Sequence, residues 1–442
     1  MNKIKRRALI AVALALLLTA GIGWYLVSYI KDGAAWVAFP SNRHIYKSGS
    51  LQTGTLTDRD GVILASCDNG VRVFADDETL RLAALHVVGD ANGKIGTGAL
   101  TKFAERLTGF SPTAGLFYAA SDAATLALTI DADISKAAYK ALGDYDGAVL
   151  AYNYKTGAIL CAVSKPSYDP ENVPADLDTN PAYDGVYINR CFRASYAPGS
   201  TMKLITAAAA LETLDDPYDI AYTCDGSCVI DGRKINCQNV HGKLTLARAL
   251  AQSCNVYFAH LSMELGGETL KDYADAYGLT SSCDISGIAT LAGRFDAHKD
   301  GTAELAWAGI GQSTDLVCPA SMLRFLGAAA NGGSAAEPKL LPDGKTVLTP
   351  LVKPETAAAL TELMRNNTRT VYGDGSFPKG LEICAKSGTA QVDGEKSNAW
   401  FVGFSANEKY PVAFVVIAEH AGAGSGVGKD VAAAVLRAVV KG

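Results

Sequence analysis

The longest uninterrupted apolar stretch lies at the start of the chain. From Ala8 to Ile30 there is no charged residue, a run long enough to cross a hydrocarbon core of roughly 30 Å as a helix. Lys3, Lys5, Arg6 and Arg7 precede it and should stay on the cytoplasmic side, while Trp24, Tyr25 and Tyr29 fall at the far interface, where amphipathic aromatics prefer to lie. Ala20, Gly21 and Gly23 are small enough for a signal peptidase, so a cleaved leader competes with an anchor. The run exceeds a typical leader core, which favours the anchor. The expected division is a cytoplasmic tail at 1–7, a single-pass plasma-membrane anchor at 8–30, and everything after Lys31 outside the cell.

Past the anchor the pattern becomes short and mixed. Val62-Ile63-Leu64-Ala65 and Val71-Arg72-Val73-Phe74 read as strands, and Gly98 to Leu107 as a helix. A segment of this size, 31–124, is too short for a second enzyme of ordinary dimensions and is expected to be a pedestal. From residue 125 the pattern is that of a larger domain. Asp131 should cap a helix from Ala132 to Leu142, followed by strands from Ala148 to Tyr152 and Ala158 to Val163 around Lys155-Thr156-Gly157. The Ala/Leu-rich run from Leu204 to Leu211 predicts a buried helix whose first turn begins near Ser200. A second hairpin is expected from Asn398 to Phe404 and Pro411 to Ile417, and a closing helix from Val431 to Val440. The predicted class is α/β: an antiparallel sheet flanked by helices at 125–442, preceded by a small mixed α/β pedestal and a transmembrane helix.

Composition narrows the chemistry. A net charge of −5 over 442 residues, with no basic run outside the N-terminus, argues against a nucleic-acid partner. The ten cysteines include no CxxC pair, and the six histidines form no HExxH or HxH cluster. Neither a metal nor a cofactor is expected.

Three short motifs remain. Ser200 and Lys203 stand one helical turn apart, so their side chains share a face. An ammonium on so apolar a helix is desolvated, which favours the neutral amine, and an amine beside a hydroxyl is a base with its nucleophile. Ser253-Cys254-Asn255 lies between two helix-like stretches, Leu244 to Gln252 and Val256 to Leu265, and could present a hydroxyl and an amide together or simply cap the second helix. Lys386-Ser387-Gly388-Thr389 sits on an expected strand beginning at Leu381. Glycine inside a strand marks a close approach to the backbone, and the flanking cation and hydroxyls suit an anionic, extended ligand.

Taken singly each motif is weak, but the order S-x-x-K, S-x-N, K-S-G-T across one α/β domain is specific. It resembles that of the class B penicillin-binding proteins, monofunctional D,D-transpeptidases of peptidoglycan synthesis, and most of all their short A type. Gly54 to Ala65 is similar to the pedestal signature of that family, and Pro166-Ser167-Tyr168-Asp169-Pro170 to the loop after its first hairpin. Asn189-Arg190, Gly309-Ile310-Gly311-Gln312, Ala330-Asn331-Gly332-Gly333 and Ala399 to Phe404 match later landmarks. Thr53 and Cys318 depart from the pattern, where Arg and Thr are usual.

The resemblance implies a set of roles. Ser200 would be the nucleophile and Lys203 its base; Ser253 and Lys386 would relay a proton; Asn255 would contact the substrate backbone and orient Lys203. Ser387, Gly388 and Thr389, with Lys386, would bind the substrate carboxylate, and the amides of Ser200 and Thr389 would form an oxyanion hole. The implied partners are peptidoglycan stem peptides, β-lactam antibiotics, the plasma membrane and a polytopic glycan polymerase. A serine β-lactamase and a non-catalytic β-lactam sensor or scaffold are the competing functions. Cys224, Cys228, Cys237 and His241 offer atoms for zinc, but at a spacing unlike a common finger. The resemblance implies instead a Cys224–Cys237 disulfide, with Cys228 free; Cys254, between Ser253 and Asn255, reads as a small core-facing residue.

Overall fold

The computed structural model describes residues 3–38, 54–68, 71–108, 110–111, 116–117 and 125–441. The first helix, α1 (Lys3–Ala38), contains the apolar run; within its stretch Lys3–Lys31 an 18-residue window has a mean hydropathy of 2.2, with none of that window buried by the protein. It is one helix long and apolar enough to cross a membrane. At 1.5 Å per residue that stretch extends about 44 Å, and the helix continues beyond the apolar run at both ends.

Beyond it, strands β1 (Thr55–Thr57), β2 (Ile63–Asp68), β3 (Val71–Phe74) and β4 (Thr125–Ala127) form a sheet in the order β3-β2-β1-β4. β4 runs parallel to β1, so this N-terminal sheet takes its last strand from just past residue 124. Helix α2 (Glu78–Val88) follows β3, capped by Asp77, whose carboxylate accepts from Leu80 N at 3.1 Å. The expected helix from Gly98 to Leu107 is instead two short pieces, Ala99–Lys102 and Ala104–Thr108. Phe103 breaks it, leaving helical geometry as its side chain is buried.

One carboxylate ties this part to the rest. Asp58 is only 2% exposed and accepts from Asp60 N and Val62 N at 2.9 and 2.8 Å. It also accepts from Ala132 N at 3.0 Å, the first residue of α3 (Ala132–Leu142). α3 starts where the sequence places it, with Asp131 accepting from Ile134 N. A bidentate pair, Arg81 with Asp169 at 2.7 Å on both arms, joins α2 to the loop after the first hairpin of the larger part.

That larger part is built on a five-stranded antiparallel sheet of β5 (Gly147–Asn153), β6 (Ile159–Lys165), β7 (Ile383–Ala390), β8 (Asn398–Ser405) and β9 (Val412–Ala418). Its order is β7-β8-β9-β5-β6, with the two expected hairpins joined through β9 and β5. Every residue of β8 and β9 is buried, because helices cover both faces; apart from Asn398 and Ser405 at the two ends of β8, their sequences are accordingly apolar without alternation. On one side lie helices α4 (Lys203–Thr213), α5 (Asn255–Leu265), α6 (Pro319–Ala330) and α7 (Pro354–Asn367). On the other lie α3 and the closing helix α8 (Val427–Lys441), which begins four residues before Val431. β7 is the edge strand, starting at Ile383 two residues after the expected Leu381, and its free edge faces the helical layer.

Replacing Asp58 with alanine would leave three N–H groups without their acceptor, one of them the first amide of α3. The full chain in detergent is expected to lose about 2–3 kcal/mol of stability, with Asp58→Asn less affected; thermal or denaturant unfolding of the two variants measures this.

Candidate active site

Ser200 sits in a single 3-10 turn, Gly199–Thr201, which runs through Met202 into α4. Lys203 is therefore the first residue of the α-helix proper, one turn after Ser200 as the spacing demands. Gly199 makes this turn possible. Its φ is +53°, and a Cβ there would stand 2.7 Å from the carbonyl oxygen of Thr389. Gly388 was expected to mark a close approach to β7, and it does: a Cβ at that position would lie 2.9 Å from Pro198 O. What approaches is the nucleophile turn itself, so Ser200 is carried on backbone packed directly against the edge strand.

The side chains converge from three elements. Lys203 is fully buried, with Nζ 3.0 Å from Ser200 Oγ, 2.7 Å from Ser253 O, 2.7 Å from Asn255 Oδ1 and 3.3 Å from Ser253 Oγ. Two of these neighbours, the Ser253 carbonyl and the Asn255 side-chain oxygen, can only accept. A neutral amine has two N–H bonds and one lone pair. Donating to those two oxygens leaves the lone pair for the Ser200 hydroxyl, so the geometry suits the amine. Burial draws the Lys203 pKa down to about 8.

Lys386, on β7 and also fully buried, donates to Ser253 Oγ and to Ser387 O, each at 2.9 Å. Its pKa is driven well below the usual lysine value, first by desolvation and then by the charge of Lys203. Ser253 thus stands between two lysines. It holds φ +52°, a left-handed conformation uncommon outside glycine, in the turn that closes helix Leu246–Ala251. Cys254, not Ser253 or Asn255, is the N-cap of α5, accepting from Tyr257 N through its sulfur. This frees Ser253 and Asn255 to point at Lys203. Asn255 also donates from Nδ2 to Asn236 O at 2.8 Å, which fixes its amide orientation.

The edge of β7 is dressed by two residues that the sequence motifs did not single out for a role. Tyr372 lies at the end of a wide, five-residue helical turn after α7. Its Oη accepts from Ser387 N at 2.8 Å and lies 3.0 Å from Ser387 Oγ. Gln312 donates from Nε2 to Thr389 O at 2.7 Å. In a strand, the N–H and C=O of residues i and i+2 point to the same edge. Ser387 and Thr389 therefore both face the free side, and the Thr389 N–H looks out beside the Ser200 turn. Gln312 was visible as part of Gly309-Ile310-Gly311-Gln312, without its function; Tyr372 had no local signature. Ser200, Lys203, Ser253, Asn255 and Lys386 meet in one hydrogen-bonded network, and Ser387, Gly388 and Thr389 form its wall.

The expected Cys224–Cys237 disulfide is not present: both residues are free thiols. The reason is local. The two sulfurs share their surroundings with His241 and Cys254, and the four ligand-type atoms lie within 4.8 Å of one another.

Known proteins resemble both this geometry and the sequence around it. Residues 147–441 match the penicillin-binding protein transpeptidase domain. The chain belongs to the class B penicillin-binding proteins. It is 30% identical over 353 residues to the peptidoglycan D,D-transpeptidase PbpA of Mycobacterium tuberculosis, covering 71% of each chain. It is 28% identical over 393 residues to stage V sporulation protein D of Bacillus subtilis, covering 80% of this chain and 55% of that one. Among solved structures, penicillin-binding protein A from M. tuberculosis as an imipenem acyl-enzyme superposes with a TM-score of 0.76 at 25% identity, over 88% of this chain and 99% of that chain. This penicillin-binding protein is thus of the PbpA type.

A buried base with a pKa near 8 gives a pH dependence with a definite sign. The reactive form is the unprotonated amine, so reactivity of Ser200 is lost as pH falls. The second-order rate of acylation by benzylpenicillin is expected to fall about tenfold per unit below pH 7 and to level off above about pH 9. Stopped-flow or quenched acylation kinetics between pH 5.5 and 10 test it.

Proposed function

We propose that this penicillin-binding protein is a peptidoglycan D,D-transpeptidase acting through a Ser200 acyl-enzyme. One observation carries the reading: two fully buried lysines reach Ser200 and Ser253 through a single network, with Lys203 Nζ 3.0 Å from Ser200 Oγ. The relatives support it. PbpA proteins of two mycobacteria carry that activity in their names, and penicillin-binding protein A from M. tuberculosis forms acyl-enzymes with imipenem and penicillin G.

In the proposed reaction Lys203 takes the Ser200 proton as Oγ adds to the carbonyl between the last two D-alanines of a stem peptide. The N–H groups of Ser200 and Thr389 hold the developing oxyanion, and they act on charge that grows in the transition state. The C–N bond then breaks. A proton moves through Lys386 and Ser253 to the departing nitrogen, and D-alanine leaves. Lys386 with the hydroxyls of Ser387 and Thr389 holds the terminal carboxylate, beside Gly388. Asn255 keeps its oxygen on Lys203 and one N–H on Asn236 O; its second N–H is the atom that meets the substrate backbone. An amine from a neighbouring stem attacks the ester and regenerates Ser200. No step calls for a metal or cofactor.

The same proposal assigns the division of the chain. Residues 1–7 are cytoplasmic, the helix that follows anchors the protein, and the catalytic part stands outside on the N-terminal sheet. This places Lys3, Lys5, Arg6 and Arg7 inside. The anchor and N-terminal sheet are the surface for a membrane-embedded glycan polymerase, since the transpeptidase forms peptide bonds and needs glycan made by another enzyme.

Incubating the full chain in detergent with benzylpenicillin should add one drug mass to the intact protein, persisting after drug removal, and none to Ser200→Ala. An adduct lost within seconds would identify a β-lactamase, and its absence a scaffold. Co-purification of the anchored chain from membranes is expected to recover a glycan polymerase; recovery undiminished by replacing α1 with an unrelated anchor and deleting 54–127 would refute that partner surface.

A further inference from the structure

Behind the Ser253-Cys254-Asn255 turn, four residues from separate pieces of chain bring their side chains together. Cys224 ends the strand Ala221–Cys224; Cys237 follows the strand Arg233–Asn236; His241 precedes the strand Gly242–Thr245; Cys254 caps α5. Cys224 and Cys254 are buried and the other two half-buried. His241 Nδ1 lies 3.5 Å from Cys224 Sγ and 3.4 Å from Cys237 Sγ, and Cys237 Sγ lies 3.9 Å from Cys254 Sγ. A tetrahedral zinc ion with Zn–S near 2.3 Å and Zn–N near 2.0 Å spaces its ligands about 3.8 Å apart for two sulfurs and about 3.5 Å for sulfur and nitrogen. These three separations match edges of such a tetrahedron, and all four atoms lie within 4.8 Å of one another. The 3.9 Å between Cys237 Sγ and Cys254 Sγ is far too long for an S–S bond, which is about 2.0 Å.

We propose that Cys224, Cys237, His241 and Cys254 form a structural zinc site that holds the Ser253-Cys254-Asn255 turn in place. Three thiolates and one imidazole are a ligand set typical of closed zinc sites, with no position left for water or substrate, so the ion takes no part in the chemistry. Two of the sulfurs also have the backbone donors that thiolate ligands need. Asn255 N donates to Cys237 Sγ at 3.3 Å and Tyr257 N to Cys254 Sγ at 3.4 Å. Cys224, as a thiol, donates to Asn239 O at 3.6 Å, a bond it gives up on becoming a thiolate ligand.

The consequence reaches the active site through two covalent neighbours. Cys254 stands between Ser253 and Asn255, and Asn236, whose carbonyl holds the Asn255 amide, is adjacent to Cys237. Zinc would fix both ends of that contact at once. It pins the hairpin formed by Ser227–Ile230 and Arg233–Asn236 to the start of α5, and so sets where Asn255 Oδ1 meets Lys203. The four ligands are positioning residues, and this effect on catalysis rests on the function proposed above; the metal site itself does not.

The test uses the untagged full chain in detergent, purified without reductant. Elemental analysis is expected to give one zinc per chain, and thiol titration after unfolding in chelator all ten cysteines. Cobalt exchanged into the site should show the ligand-field and thiolate charge-transfer bands of a tetrahedral site. Cys224→Ser and Cys254→Ser should lose the metal, whereas Cys228→Ser, outside the tetrad, should keep it. Two fewer titratable thiols with a Cys224–Cys237 linked peptide would overturn the site in favour of the disulfide, and ten thiols with no uptake of zinc or cobalt would overturn it outright. Removing the ion is expected to slow penicillin acylation about a hundredfold, the cost of a displacement near 1 Å, with recovery on adding zinc. Unchanged acylation in the metal-free chain would refute the positioning role while leaving the site. Zinc bound with no acylation at all would instead refute the proposed function.

Discussion

Two amino groups buried beside one another cannot both carry a proton at ordinary cost. Lys203 and Lys386 are each fully buried and both contact Ser253, and neither has a carboxylate partner in the contacts that hold it. Desolvation and mutual repulsion therefore push at least one of them toward the neutral amine near pH 7. Much of the larger part of the molecule serves to keep this pair dry and close. The helix carrying Lys203 is buried along Lys203 to Ala210, and the strand carrying Lys386 is backed by β8, every residue of which is buried.

Holding charges so near a backbone edge requires that the edge be accessible yet not sticky. β7 is the last strand of its sheet, and a bare edge invites pairing with another chain. Here the edge is occupied point by point. Tyr372 takes the Ser387 N–H, Lys386 takes the Ser387 carbonyl, Gln312 takes the Thr389 carbonyl, and the nucleophile turn packs across Gly388. The groups that remain open are those beside Ser200. An edge strand is thereby turned into a cleft wall with few unsatisfied positions.

How much of this could be read from the chain alone follows from the range of each interaction. The apolar run of α1, the Asp131 cap, and the two hairpins of the sheet depend on neighbours a few residues away, and they appear close to where the pattern puts them. The S-x-x-K spacing likewise survives because i, i+3 geometry is local. Phe103 is different: nothing nearby in sequence says that its ring is buried and the helix broken. Tyr372 and Gln312 act on residues 15 and 77 positions away, so their roles exist only after the chain has folded. The hairpin of Ser227–Ile230 and Arg233–Asn236 matters through where it delivers Asn236 and Cys237, which only the folded chain shows.

The cysteines show the same limit from the other side. Counting spacings treats Cys224, Cys228, Cys237 and His241 as one local group and leaves Cys254 aside as core. Folding rearranges the membership: Cys228 pairs with Ile235 across the hairpin, while Cys254 arrives from the N-terminus of α5. A cap position normally selects Ser, Thr, Asp or Asn for a side-chain oxygen that accepts a backbone N–H. Cysteine makes a weaker acceptor, so its use at this cap costs helix stability unless the sulfur has a second task. The sulfurs and the imidazole beside it supply that task, and they do so at the one turn whose flanking residues both touch Lys203.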